Sequence, residues 1–212
     1  MRRDDGPEHA AQAAQVLAAV MKVTLSAGVP PRTLMPNPVW VRWEDAGSGA
    51  WPRFDLVDVQ QVRTGIRLPQ WLEAIQRRIQ ARLRRTSLPL VIGHADWEAQ
   101  NLRWRGHQIH TIYDWDSLAA LPEAAVVGAA AGAFASTDPP TLAPLTSSET
   151  FLAAYETAAG RRFTSEEVEV AWAASMYPAA HNARGEILFG QRPVAGDALR
   201  AQADERLRRG GA

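Results

Sequence analysis

The chain has 212 residues, with 23 basic and 23 acidic side chains, a net charge of zero and no cysteine. That length supports one substantial core with at most a small appendage. The charge balance offers no electrostatic footprint for nucleic acid or a membrane surface, and the lack of cysteine excludes disulfides, thiol nucleophiles and thiolate metal sites.

No apolar stretch follows Arg2 and Arg3, and no apolar run reaches membrane-span length, so the expectation is a soluble, cytoplasmic chain. From Pro7 to Ala27, the residues Ala13, Val16, Leu17, Val20 and Met21 recur at helical spacing until Gly28 and the pair Pro30 and Pro31 end the pattern. Val39–Trp43 and Phe54–Val59 read as two short extended segments around a turn containing Gly47 and Gly49. Pro69 suits the first turn of an amphipathic helix. Its apolar face carries Trp71, Leu72, Ile75, Ile79 and Leu83; Arg77, Arg78, Arg82, Arg84 and Arg85 make a solvated basic face, ended by Ser87 and Pro89.

Ala119–Ala135 is small and apolar nearly all round, which predicts a buried helix, with Gly128 and Gly132 permitting close approach of a neighbour. Ser136–Ser147 reads as a loop, and Ser148 as the cap of a helix that Gly160 ends. Thr164 and Glu167 fit a capping box before the next helix. Pro178–Phe189 and Asp197–Arg209 give two more, separated by Gly190 and Pro193.

The polar groups concentrate between Val91 and Asp116, in VIGHADWEAQNLRWRGHQIHTIYDWD. A short apolar strand over Leu88–Ile92 leads into a polar loop bearing His94, Asp96, Glu98 and Asn101. A β-hairpin follows, Leu102–Trp104 and Ile109–Tyr113 around Arg105–Gln108, and its far strand returns Asp114 to the neighbourhood of Asn101. A carboxylate near a carboxamide supplies hard oxygen ligands of the kind Mg²⁺ accepts alongside phosphate oxygens. Asp96 is then free to orient a hydroxyl and take its proton, the division of labour that phosphoryl transfer requires.

His94-Ala95-Asp96 with Asn101 resembles the H-x-D-x-x-x-x-N catalytic loop, and Tyr113-Asp114-Trp115-Asp116 resembles the I-D-W-[DE] metal-binding segment, of aminoglycoside phosphotransferases and choline-kinase-like enzymes. The family is similar to the protein kinases in fold. The resemblance implies a predominantly helical α+β fold: a protein-kinase-like C-terminal lobe with a central β-hairpin, its N-terminal β-rich lobe missing or much reduced. Residues 1–212 are then one unit, with helices and short extended segments over 1–87, the catalytic loop and metal-binding hairpin over 88–116, and a helical bundle over 117–212. It further implies Asp96 as catalytic base, His94 bracing the loop, Asn101 and Asp114 holding Mg²⁺, and transfer of the ATP γ-phosphate to a hydroxyl of a small molecule, aminoglycoside-like or another amino or sugar alcohol. Nucleotide-binding residues stay unassigned.

The match departs from the family pattern at Ala95 and at Ala99-Gln100, where glycine and Pro-Gly are usual, and at Glu98. Glu123 stands where one downstream acid is expected. Lys22, the sole lysine, sits in a helical pattern rather than on a strand where a phosphate clamp belongs, and Asp45–Gly49 reads as a plain hairpin turn. Two alternatives stay open: a kinase-like binding module without transfer activity, and a longer enzyme whose start is misplaced. A metal-dependent hydrolase using His94, Asp96, Glu98 and Asp114 is a third.

The remaining polar groups have plainer readings. His107 and His110 pack the hairpin, His181 with Asn182 and Arg184 forms a polar cluster on a helix, and Glu166, Glu167 and Glu169 favour a helix N-terminus. Trp97 and Trp115 adjoin the catalytic groups and are candidates for lining a substrate pocket.

Overall fold

The first helix forms where the periodicity places it. In the computed structural model, which describes residues 6–43, 51–52 and 55–212, α1 spans Pro7–Ser26 with proline in its first turn. It buries Ala10, Ala13, Ala14, Leu17, Ala18 and Met21. This face is mostly alanine, so α1 packs closely along α5 (Leu145–Ala159). Gly28, at φ +64°, turns the chain away after the last turn.

The next stretch departs from expectation. Val39–Val41 is a single 3₁₀ turn rather than a strand, and of the segment expected to extend over Phe54–Val59, the described part from Asp55 on belongs to a helix, α2 (Asp55–Thr64). The glycine turn at 45–49 lies outside the described residues. Alternation over Leu56–Val59 was too short to separate period 2 from period 3.6. Tertiary anchors decide it: Gln60 Nε2 donates to Leu188 O at 3.1 Å, and Asp58 pairs with Arg184 at 2.6 Å.

α3 (Gln70–Arg84) is the amphipathic helix expected after Pro69, burying Leu72, Ile75, Ile79 and Leu83. Its basic face is not uniformly solvated. Arg82 is buried and paired with Glu169 at 2.9 Å, while Arg78 and Arg85 donate to the carbonyls of Ala212 and Gly211. That side of α3 therefore holds the chain's last residues.

Beyond Asp116 the expected helix starts four residues later than its apolar run. Leu118–Pro122 is a strand, β4, and only then does α4 (Glu123–Ala133) begin. β4 runs antiparallel to β1 (Leu90–His94), from Leu90 opposite Pro122 to His94 opposite Leu118. A short apolar run has no signature of its own; only the partner strand shows which it is. The central hairpin forms as read, with β2 (Leu102–Arg105) and β3 (Gln108–Ile112) joined through Gly106 at φ +59°. The described residues are thus predominantly helical with two small antiparallel sheets.

α5 also begins earlier than expected, after Pro144. Ser148 is not its cap; its Oγ is buried and donates to Ala131 O on α4 at 2.7 Å. The capping box of Thr164 and Glu167 does open α6 (Ser165–Ala174), and Gly160, at φ +71°, closes α5. α7 (Tyr177–Leu188) and α8 (Val194–Arg209) pack on each other. Arg206 joins α8 to the rest: fully buried, it donates to Ser175 Oγ, Ser148 Oγ and Ala143 O. No helix among the described residues is long and apolar enough to cross a membrane.

α4 and α6 lie so close that glycine is required between them. A Cβ on Gly128 would stand 2.1 Å from Ala171 O, and one on Gly132 1.9 Å from Ser175 O, both backbone atoms that cannot turn aside. Gly128→Ala and Gly132→Ala are each expected to lower stability by about 2–4 kcal/mol through forced separation of the helices. Gly185→Ala, whose Cβ would meet nothing within 4 Å, should gain about 0.5–1 kcal/mol of helix propensity. Urea denaturation of the three variants checks the contrast.

Candidate functional site

β1 ends at His94 and β4 starts at Leu118, and their pairing closes the intervening loop and hairpin into one excursion from the sheet. At its neck, Ala95 N–H donates to Ser117 O and Tyr113 N–H to Asn101 O, each at 2.9 Å. Asp96 and Asp114, far apart in sequence, are thereby brought side by side. His94 is 1% exposed and ties the two arms together. Its Nε2–H donates to Tyr113 O at 2.9 Å, and its Nδ1 accepts from Asp96 N–H at 3.2 Å. Trp97 and Trp115 clasp the imidazole edge-on from two sides, at 5.6 and 5.7 Å.

Asn101 ends a 3₁₀ turn, Ala99–Asn101. Its Nδ2 donates both to Asp96 O (3.0 Å) and to Asp96 Oδ2 (2.8 Å), which fixes the carboxylate and leaves the amide oxygen of Asn101 as an available ligand. That turn forms without the glycines of the family pattern: φ is positive at no residue between Ala95 and Asn101. Asp114 takes the left-handed conformation, φ 62° and ψ 47°, which among non-glycine residues Asn and Asp tolerate best. Its Oδ2 accepts from Ser117 Oγ at 2.7 Å.

The two carboxylates differ in ionisation. Burial pushes Asp96 up from the usual carboxylate range, against the hydrogen bond from Asn101, and the neighbouring Asp114 charge adds to the rise. Asp114 is held below that range, chiefly by the Ser117 hydroxyl and then by Asp116. Hard oxygen donors on Asn101 and Asp114, next to a carboxylate whose charge is uncompensated, suit a divalent cation such as Mg²⁺. Among the described residues no group of three or more His, Asp or Glu side chains converges to form a metal centre, so the hydrolase reading finds no ligand set there.

Asp96 and Asp114 line a cavity of about 500 Å³ whose walls are mainly apolar and aromatic, including Trp40, Trp43, Trp97 and Tyr177. Glu98, unexpected in the motif, is part of this wall. Burial, and then the Asp96 charge, push its carboxyl up to about 8 against the Ser136 hydrogen bond. Of the two candidate tryptophans, Trp97 lines the cavity and Trp115 does not; the Trp115 indole donates to Ile112 O at 3.0 Å.

Other candidates lie elsewhere. Glu123 does not replace a site acid: it accepts from Tyr155 Oη and pairs with Arg161, both at 2.7 Å. Glu167 is in the same ion-pair group, Glu166 accepts from Thr86 and Glu169 holds Arg82. Lys22 is exposed on α1 and outside the cavity lining. His107 packs near His9 on the hairpin side, and His110 bonds its neighbour Thr111.

What sequence reasoning missed is the α7 wall. His181, Asn182 and Arg184, read as a plain polar cluster on a helix, line the same cavity as Asp96. The available signal was two charged or polar side chains, His181 and Arg184, at i and i+3 on a helix otherwise rich in alanine.

No family model matches the sequence, and a search of curated proteins finds no match. Among solved structures, the chain is similar to a choline/ethanolamine kinase family protein from Mesorhizobium loti, with 20% sequence identity and a TM-score of 0.45. The alignment covers 92% of this chain and 64% of that one, so the chain spans less than two thirds of its length.

The half-buried His181, whose Nε2 is closed off from solvent, gives the site a pH signature. Burial holds its imidazole down to about 4, opposed by the Tyr177 carbonyl and assisted by the Arg184 charge. The folded pKa lies below the unfolded value of roughly 6.5, so the unfolded chain binds more protons between about pH 4 and 6.5. Stability from this group is complete above that window and is lost as pH falls through it, by about 2 kcal/mol near pH 5. Urea denaturation at neutral and acid pH should show this loss in the wild type and a smaller one in His181→Asn.

Proposed function

We propose that this chain carries the metal-and-base half of a small-molecule phosphotransfer site, passing the γ-phosphate of ATP to a hydroxyl. The observation that carries the reading is the placement of Asp96, locked by Asn101, beside Asp114 at the wall of one cavity.

Asp96 is the base. The side-chain amide of Asn101 holds one of its oxygens, and the raised affinity of the carboxyl for a proton suits it to take the proton of an acceptor hydroxyl entering from the cavity. Asn101 Oδ1 and Asp114 would hold Mg²⁺, which when bound neutralises charge on the transferring phosphoryl group. His94 is a positioning residue: it sets the spacing of Asp96 and Asp114 by bonding the backbone on both sides. The largely apolar and aromatic walls reduce the water around the acceptor, which favours transfer to a substrate hydroxyl over hydrolysis. The acceptor is a hydroxylated small molecule that fits about 500 Å³.

Two variants separate the roles. Asp96→Asn should lower ATP-dependent phosphorylation of a pool of hydroxylated acceptors by about 10²–10⁴-fold while leaving cation binding intact. Asp114→Ala should lose the cation, read without any turnover by water-proton relaxation of Mn²⁺ used in place of Mg²⁺. Mn²⁺ binding that is the same in wild type and Asp114→Ala would sink the metal assignment. Asp114-dependent Mn²⁺ binding with no turnover on any acceptor would leave a binding module.

A further inference from the structure

One cluster in the cavity wall is not used by the reaction above. Arg184, on α7, is 3% exposed. Its Nη2 donates to Asp58 Oδ1 (2.6 Å) and Gln61 Oε1 (2.8 Å) on α2, while Nε and Nη1 have no hydrogen-bond partner among the described residues. The guanidinium lies 5.2 Å from the ring centroid of Trp51, whose Nε1 is also unpartnered. Trp51 in turn meets His181 edge-on at 5.5 Å. His181 faces Tyr177 O through Nδ1 at 3.2 Å, which assigns the hydrogen to Nδ1 in the neutral ring and leaves Nε2 a lone-pair acceptor without a donor.

Buried polar atoms are nearly always paired, and an unmet N–H on a charged group is among the costlier exceptions. Among the described residues, three donor nitrogens and one acceptor nitrogen here go unmet in three side chains that touch one another, and two of the three line the cavity holding Asp96. Packing of α2 on α7 needs only Nη2 of the arginine. The complement of the remaining atoms is a group with negatively charged acceptor oxygens and a neighbouring hydroxyl donor.

We propose that the α7 wall is a recognition subsite for an oxyanion on the acceptor molecule, a carboxylate or phosphate group beside a hydroxyl. Arg184 and Trp51 donate to its oxygens, and His181 accepts from the hydroxyl. This names the substrate class of the phosphotransfer site and rests on that reading for the reaction, though not for binding. Asp58 and Gln61 on Nη2 orient the guanidinium, so recognition is by directed N–H groups rather than by a loose cation. Because the unmet atoms are closed off from solvent, entry of the oxyanion moves the Trp51 ring off the guanidinium.

The test is titration of the chain with three matched probes, glycerol, glycerate and glycerol 3-phosphate, followed by calorimetry and tryptophan fluorescence. At least one anionic probe is expected to bind about tenfold or more tightly than glycerol, with a fluorescence change, and the tighter of the two identifies the oxyanion. Arg184→Gln, with its fold checked by circular dichroism, should lose the preference and leave glycerol binding unchanged. If that variant does not fold, Trp51→Phe serves instead, weakening the preference and abolishing the fluorescence response. Equal binding of all three probes, no binding of either anion, or a preference untouched by the folded variant overturns the proposal. Transfer assayed on the same wild-type chain keeps the two readings apart: an anion preference without transfer activity counts against phosphotransfer alone, and transfer without an anion preference counts against the subsite alone.

Discussion

The candidate site depends on one buried imidazole. His94 ends β1, accepts the backbone N–H of Asp96 on one side and donates to the backbone carbonyl of Tyr113 on the other. A hairpin attached at one end would leave its far strand free to splay; the β1–β4 ladder and this side chain close the neck. The distance between Asp96 and Asp114 is then a property of a sheet and a ring rather than of two loops. The left-handed backbone at Asp114 is sustained by the same closure, since Ser117 N–H and Oγ both bond back to that residue.

That neck stands on a helical scaffold held at short range by small residues. The alanine face of α1 against α5, and Gly128 and Gly132 of α4 against the backbone of α6, trade side-chain volume for close backbone approach. Close approach of α4 and α6 brings the second half of the chain up behind β4. α7 follows directly, and its His181 and Arg184 line the cavity that Asp96 and Asp114 also line. Buried arginines serve as joints: Arg206 ties α8 to α5 and α6 through neutral oxygens, and burial pulls its guanidinium down to about 9. Arg184 ties α7 to α2 with one nitrogen and leaves two unmet.

Much of the helical layout was legible because long periodic segments carry redundant signals. α1, α3 and α6 to α8 each have several apolar positions in phase, and the ends are marked by Pro7, Pro69, Gly160 or the Thr164–Glu167 box. The errors fall where the signal is four or five residues long. The apolar run Ala119–Ala135 extends a helical pattern over most of β4, and Val39–Trp43 and Phe54–Val59 carry an extended pattern. In each case the deciding interaction is with a distant segment: β1 for β4, and α7 for α2.

The sequence by itself determined which chemical groups the central stretch could bring together. The spacing of His94, Asp96 and Asn101 and a hairpin of readable length already place a carboxylate, a carboxamide and a second carboxylate within reach of one another, because strand and turn geometry are local. Only the tertiary structure decided what surrounds them. Glu123 went to an ion-pair group with Arg161, Trp115 turned away from the cavity, and Glu98, His181 and Arg184 became its wall. Those assignments depend on which helix faces pack against the neck, a property of contacts between segments far apart in the chain, and no local pattern encodes it.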